Sequence, residues 1–135
     1  MSNGASVMIL DDEPIVGKRL APVLAKIGAE VEVFEDPRLA LERIQQKTFD
    51  IVITDVRMEH VSGIEILEKV KARSERSKVI MITAYATVEL AREALGKGAF
   101  DFVAKPFRRN SLGDVVIRAA EALGLRETSS QDPSS

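Results

Sequence analysis

Residues 7–12 read Val-Met-Ile-Leu-Asp-Asp, an apolar run that ends directly in two carboxylates. Similar runs recur later in the chain: Asp55 follows one, Thr83 closes another, and Lys105-Pro106 follows a third. Runs that are apolar at successive positions are typical of parallel strands covered on both faces. Because the carboxyl ends of parallel strands meet at one edge of a sheet, these polar residues are predicted to gather around one site.

Five apolar runs of strand length alternate with segments of helical period. The predicted strands cover residues 7–10, 31–34, 51–54, 79–83 and 100–104. The segments between them carry residues that commonly begin or end helices, namely Pro14 and Gly28, Asp36-Pro37, Ser62 with Glu65, Thr87 and Gly98, and Asn110. Five βα units with short connections imply right-handed crossovers. The predicted fold class is therefore α/β, with a doubly wound five-stranded parallel sheet.

The chain has the length and composition of one soluble globular domain. It has 135 residues, of which 45% are hydrophobic and 30% charged, and this is enough to bury a core. We expect a domain over residues 1–124 and a disordered tail or linker over residues 125–135, which are rich in Ser, Asp and Pro. The formal charge of -2 argues against a general binder of nucleic acids or anionic membranes.

Cysteine is absent from the chain and histidine occurs once, as His60. These counts exclude disulfides, thiol nucleophiles and a histidine metal cluster, so any bound metal is expected to be held by oxygen. No apolar run approaches the roughly 20 residues of a membrane-spanning helix, and residues 1–5 are too short and polar for a signal peptide. The cytoplasm is the expected location.

The predicted site combines three carboxylates, a hydroxyl and an ammonium. Crowded carboxylates raise one another's pKa, and they stay ionised together only where a divalent cation or the lysine offsets them. Taken singly, Asp11 and Asp12 could stabilise the start of the next helix, Asp55 could be a turn residue, Thr83 a strand end and Lys105 a surface charge. Their joint occurrence at four strand ends instead favours Mg²⁺ and a phosphoryl group.

These residues resemble the response-regulator receiver domains of bacterial two-component signalling, over about residues 5–124. The resemblance is carried by Asp11-Asp12, Asp55 in Ile-Val-Ile-Thr-Asp-Val-Arg-Met, Gly63 eight residues later, Thr83-Ala84-Tyr85, and Lys105-Pro106-Phe107. The run from Met81 to Phe107 is especially similar to receivers attached to sigma-54-dependent activators. The resemblance implies a flavodoxin-like receiver fold.

The resemblance also implies a signalling switch and not an enzyme that turns over a substrate. Asp55 would accept a phosphoryl group from a phosphohistidine on a sensor histidine kinase or phosphotransfer protein, and would lose it by slow autodephosphorylation. Mg²⁺ would be bound by Asp12, Asp55 and the backbone carbonyl of Arg57, with Asp11 acting largely through water. Lys105 would pair with the phosphoryl group.

The route by which the signal leaves the site follows from the same resemblance. Thr83 would hydrogen-bond a phosphoryl oxygen, and its movement would open space for Tyr85 to turn inward and change the surface around the fourth and fifth helices. The Lys105-Pro106 peptide bond is expected to be cis. A phosphorylation-dependent homodimer is a possible assembly, whereas direct nucleic-acid binding by this chain and membrane contact are not expected.

The fourth helix is predicted to present one apolar stripe to the sheet. Val88, Ala91 and Leu95 recur at helical spacing, which places Leu90 on the outer face. Leu90 is then expected to belong to the contact that changes on phosphorylation. The alternative is an exposed leucine without any role, which is common on protein surfaces.

Two other classes of protein could use an acidic sheet edge. A small metal-dependent hydrolase, such as a phosphatase with an aspartate nucleophile, would need a further acid and a substrate cap, and neither is evident between these short loops. A nucleotide-binding module would need a glycine-rich phosphate loop after the first strand, where the chain has Asp-Asp-Glu-Pro. Both therefore rank below the signalling switch.

Overall fold

The computed structural model of the chain describes residues 4–125, without the side chains of Arg109 and Asn110. All of the predicted tail except Leu125 lies outside the described residues. Strands and helices alternate along the described chain in the order β1 (Ser6–Leu10), α1 (Pro14–Lys26), β2 (Glu30–Phe34), α2 (Pro37–Gln46), β3 (Ile51–Asp55), α3 (Gly63–Arg73), β4 (Lys78–Thr83), α4 (Val88–Gly96), β5 (Asp101–Ala104) and α5 (Arg109–Ala122).

The five strands form one parallel sheet in the order β2-β1-β3-β4-β5. The strand order reverses between β1 and β3, which is where α/β sheets of this kind bind ligands, beyond the carboxyl ends of the strands. The predicted α/β class, the parallel sheet and the five strands are confirmed. The strand bounds differ from the predicted ones by one residue at most.

Two apolar cores cover the two faces of the sheet. Side chains alternate along a strand, so Ile9, Ile53 and Ile82 pack with α1 and α5 on one face. Met8 and Met81 pack with α2, α3 and α4 on the other. Because both faces are buried there, the central strands β1, β3 and β4 are apolar at successive positions, as the sequence pattern indicated, whereas the edge strand β2 alternates.

Three of the predicted helix caps are confirmed, and one is wrong. The side chain of each confirmed cap accepts a backbone N–H from the start of its own helix: Asp36 from Arg38, Ser62 from Glu65, and Thr87 from Leu90. The fifth helix begins at Arg109, with Arg108 as the residue before it, so Asn110 lies inside the first turn. Leu112 is fully buried there, and this burial outweighs the smaller gain of about 1 kcal/mol from a side-chain cap.

The predicted orientation of α4 is wrong. Val88 and Leu95 are 63% and 50% exposed, whereas Ala94 is fully buried and Leu90 packs against the core on the α3 side of the sheet. The helix is apolar around much of its circumference, so spacing alone could not decide which stripe faces inward. The small side chain of Ala94 is the one that meets the sheet.

This orientation gives a test with two neighbouring residues. Ala94→Gln should lower the free energy of unfolding by about 2 to 3 kcal/mol, because it forces a long amide into a filled core. Leu95→Gln introduces the same side chain at the next, half-exposed position. Its free energy of unfolding should stay within about 0.5 kcal/mol of the wild-type value. Urea unfolding of both variants measures the difference, and equal losses would contradict the observed face.

Candidate functional site

The polar residues at the strand ends converge as the sequence predicted. Asp11 directly follows β1, Asp55 ends β3 and Thr83 ends β4. Asp11, Asp12 and Asp55 each offer a carboxylate oxygen, and the three oxygens lie within 4.8 Å of one another. Asp11 and Asp55 are buried, whereas Asp12 is exposed. The site is thus a pocket of negative charge with one side open to solvent.

The ammonium of Lys105 lies among these carboxylates. Its Nζ is 2.7 Å from Oδ2 of Asp11, 2.9 Å from Oε1 of Glu13 and 3.5 Å from Oδ2 of Asp55. The Lys105-Pro106 peptide bond is cis, in agreement with the prediction. Glu13 was not predicted as a member of the site, although its place directly after the Asp11-Asp12 pair could have suggested it.

Burial and like charge perturb the acidic groups. Burial, followed by the neighbouring charge of Asp11, raises the pKa of Asp55 from 3.8 to about 6. The same two causes raise the pKa of Asp12. Burial alone would lower the pKa of Lys105, but its contacts with Asp11 and Glu13 outweigh this effect and raise it. The lysine therefore stays charged and offsets only part of the repulsion.

The arrangement of oxygens fits a hard divalent cation. Oδ1 of Asp11 accepts the N–H of Glu13, and Oδ1 of Asp55 accepts the N–H of Val56. Oδ2 of Asp11 is buried, and the described group that it meets is the ammonium of Lys105, 2.7 Å away. A buried anionic oxygen beside two further carboxylates is the donor set that Mg²⁺ prefers.

Thr83 and Tyr85 lie at the end of the neighbouring strand. The side chain of Thr83 is fully buried, and its Oγ1 accepts the N–H of Tyr85 at 3.0 Å. The ring of Tyr85 points outward and the residue is 61% exposed. The guanidinium carbon of Arg57 lies 4.9 Å from the centre of this ring. Tyr85 therefore connects the exposed Arg57, through its ring, with the buried Thr83, through its backbone N–H.

Phe102 lies on the face of the sheet that α4 covers. Phe102 of β5 pairs in register with Met81 of β4, and its ring packs against the same core as Leu90. Met81 and Thr83 are two residues apart, so they share a face of the sheet with Phe102. The alternation of side chains along β4 and β5 would have placed Phe102 on the same face of the sheet as Thr83, which is the face that α4 covers.

Comparison with known proteins identifies the family. The family model of the response regulator receiver domain matches residues 7–117, so the chain belongs to the response-regulator receiver family, whose members are signalling proteins. It is 37% identical over 121 residues to the regulatory protein AtoC of Escherichia coli strain K12, covering 90% of this chain and 26% of AtoC. It is 32% identical over 135 residues to the transcriptional regulatory protein FixJ of Bradyrhizobium diazoefficiens, covering 98% of this chain and 66% of FixJ. The chain thus spans only part of the length of these relatives.

Solved structures of receiver domains share the fold. The beryllofluoride-activated NtrC4 receiver domain dimer is 29% identical, with a TM-score of 0.82 over 87% of this chain and 98% of that one. The chemotaxis response regulator CheY4 of Vibrio cholerae is also 29% identical, with a TM-score of 0.78 over 86% of this chain and 98% of that one. The predicted receiver resemblance and flavodoxin-like fold are confirmed. Among the described helices, none is long and apolar enough to cross a membrane.

The charge repulsion predicts that removing one carboxylate stabilises the metal-free protein. The pKa of Asp55 is raised from 3.8 to about 6, so its ionised form costs stability above pH 6, and this cost fades as the pH falls from 6 to 3.8. At pH 7.5 without metal, Asp55→Asn should raise the free energy of unfolding by about 1 to 2 kcal/mol. This is less than the roughly 3 kcal/mol that the full pKa shift corresponds to, because the amide also alters local hydrogen bonds.

Chemical denaturation with and without Mg²⁺ measures this effect. Added Mg²⁺ should reduce the difference in the free energy of unfolding between Asp55→Asn and the wild type, because the cation stabilises the wild type more than the variant. Asp114→Asn removes an exposed carboxylate of α5 and should leave stability nearly unchanged in both buffers. A metal-free Asp55→Asn protein less stable than the wild type would contradict the repulsion.

Proposed function

We propose that this chain is a phosphorylation-controlled switch of the cytoplasm, in which Asp55 accepts a phosphoryl group from a phosphohistidine on a sensor histidine kinase or phosphotransfer protein. The observation that best supports this role is the buried Asp55 carboxylate beside Asp11, with the Lys105 ammonium 3.5 Å from its Oδ2. Asp12, Asp55 and the backbone carbonyl of Arg57 would hold Mg²⁺, with Asp11 acting largely through water. Family membership and the fit of the acidic site to a hard cation support the same proposal.

The chemistry is an exchange of two bonds to phosphorus. A carboxylate oxygen of Asp55 forms a P–O bond while the P–N bond to the donor imidazole breaks, and the imidazole keeps the electron pair of that bond. Bound Mg²⁺ supplies positive charge that offsets the carboxylates and the transferred group. Lys105 pairs with a phosphoryl oxygen from its position beside Asp55. The Thr83 hydroxyl donates a hydrogen bond to another, while its oxygen still accepts the N–H of Tyr85.

The transferred group would then change the surface around α4. A phosphoryl oxygen bound by Thr83 draws the end of β4 toward Asp55, and the loop that carries Tyr85 follows. Tyr85 responds at the exposed rim, whereas Phe102 lies deeper, in the core that holds Leu90 of α4. We assign the switch to both aromatic residues. Tyr85 can move at the exposed rim, and Phe102 carries the change to the core beneath the helix.

Phosphorylation of the isolated chain tests the acceptor. Acetyl phosphate with Mg²⁺ should modify wild-type protein once, at Asp55, and Asp55→Asn should abolish the adduct, as read by intact mass and by peptide mapping after borohydride trapping. Removing Mg²⁺ should largely remove the labelling, because nothing then offsets Asp11 and Asp12. Asp114→Asn serves as the labelled control.

Two results would overturn this assignment. One is an Asp55→Asn protein that is labelled as well as the wild type. The other is rapid multiple turnover of acetyl phosphate, which would point to a metal-dependent phosphatase, since a switch forms an adduct that it loses slowly.

The outer face of α4 is the surface we propose for a phosphorylation-dependent homodimer. Tyr85, Val88 and Leu95 are large apolar side chains that are at least half exposed, on α4 or directly before it. The related NtrC4 receiver domain is a dimer in its beryllofluoride-activated form. This face replaces Leu90, which packs inward, as the proposed output contact.

A charge on this face should prevent self-association. With beryllofluoride and Mg²⁺, wild-type protein should sediment as a dimer at concentrations where Val88→Asp remains a monomer, because the carboxylate would be desolvated in the contact. Leu39→Asp places the same charge at a 53% exposed leucine of α2 and should dimerise like the wild type. If Val88→Asp also dimerises normally, or the activated wild type stays monomeric, α4 is not a dimer contact.

A further inference from the structure

The contact between Arg57 and Tyr85 links the acidic pocket to the start of α4. Arg57 follows Asp55 by two residues and Tyr85 follows Thr83 by two, in the loops just beyond the neighbouring strands β3 and β4. The guanidinium carbon lies 4.9 Å from the centre of the ring, within the range of a cation–π contact. Both residues are exposed. The contact is therefore open to solvent, two residues along the chain from both Asp55 and Thr83.

Arg57 differs from the other cation of the site in having no carboxylate partner. Lys105 is held between Asp11 and Glu13, whereas Arg57 forms no ion pair with any of the described residues. Its positive charge is engaged by the tyrosine ring alone. A new dianion two residues away would compete for that charge.

The strengths of the two interactions decide this competition. An exposed cation–π contact shifts an equilibrium roughly two- to fivefold. A charge-assisted, bidentate contact between a guanidinium and a phosphoryl group shifts it by about one to two orders of magnitude. The phosphoryl group should therefore win whenever it is present.

We infer that Arg57 senses the phosphoryl group on Asp55 by leaving the Tyr85 ring for the new anion, and thereby releases Tyr85. The inference rests on the proposed function and names how that site is read. The backbone N–H of Tyr85 stays bound to Thr83, so only the ring is freed. The freed ring lies directly before the exposed face of α4, which makes Arg57 a positioning residue for that face.

The composition of the chain supplies the probe. Tyr85 is the sole tyrosine and tryptophan is absent, so tyrosine emission and its quenching by neutral acrylamide report on this one ring. The measurement compares wild type, Arg57→Gln and Arg57→Lys, each with and without beryllofluoride and Mg²⁺. Arg92→Gln removes an exposed arginine of α4 and is the charge-matched control. Fluorine NMR records separately whether beryllofluoride is bound.

At protein concentrations too low for dimerisation, beryllofluoride should increase acrylamide quenching of Tyr85 in the wild type. Without beryllofluoride, quenching of Tyr85 in Arg57→Gln should already be near the value of the activated wild type. Adding beryllofluoride should then change the quenching roughly two- to fivefold less than in the wild type, in line with loss of one cation–π contact. Arg57→Lys should fall between them, because an ammonium lacks the planar stacking of a guanidinium. Arg92→Gln should match the wild type.

The possible failures are distinct. If the wild type binds no beryllofluoride, the proposed function fails and this inference fails with it. If beryllofluoride binds but Tyr85 quenching is unchanged, only the inference fails. Quenching in unliganded Arg57→Gln equal to that of the wild type, or a full response of that variant, would likewise overturn the role of Arg57.

Discussion

Repulsion among the three carboxylates of Asp11, Asp12 and Asp55 is the constraint around which the site is built. Their oxygens lie within 4.8 Å of one another, and a single ammonium, that of Lys105, lies among them. One positive charge cannot balance three negative ones, so the folded chain keeps an unfavourable charge set that a bound cation would relieve. In the proposed function, stability given up at this edge of the sheet would provide affinity for the cation and for the phosphoryl group.

The parallel sheet is what keeps this strained set in place. Both faces of the sheet are covered by apolar cores, and the strands that carry Asp55 and Thr83 are hydrogen-bonded neighbours in a fixed register. The loops beyond them can therefore hold charged groups without weakening the frame. The same division explains why the candidate site residues lie at the strand ends.

The sequence allowed this edge to be predicted because each of its strands is a local apolar run and the polar residue comes directly after it. Asp11, Asp55, Thr83 and Lys105 needed only the parallel arrangement to come together. Glu13 was missed because its part in the site depends on where the Lys105 side chain reaches, 92 residues further along the chain. Such a contact is set by tertiary packing, and its only local trace is an acidic residue directly after the Asp11-Asp12 pair.

The orientation of α4 was mispredicted for a different reason. Periodicity identifies a helix face only when one stripe is clearly more apolar than the others, and α4 is apolar on both its inner and outer sides. Packing against the sheet decides which face of α4 turns inward. The small side chain of Ala94 allows the helix to approach the sheet, whereas the larger Leu95 would keep it further away. The sequence does not single out Phe102 either, because within β5 it resembles any other strand residue.

The weak attachment of α4 explains why a change at Asp55 would be expressed there. Among the described side chains of α4, only that of Ala94 is fully buried, whereas α3 buries Ile66, Leu67 and Val70. A buried large apolar side chain contributes roughly 1.5 to 3 kcal/mol, so α3 is held several kcal/mol more firmly. Phosphoryl contacts with Thr83 and Lys105, at about 1.5 to 3 kcal/mol each, are comparable with what retains α4 and smaller than what retains α3. The helix that follows Thr83 is thus the element whose position such contacts can change.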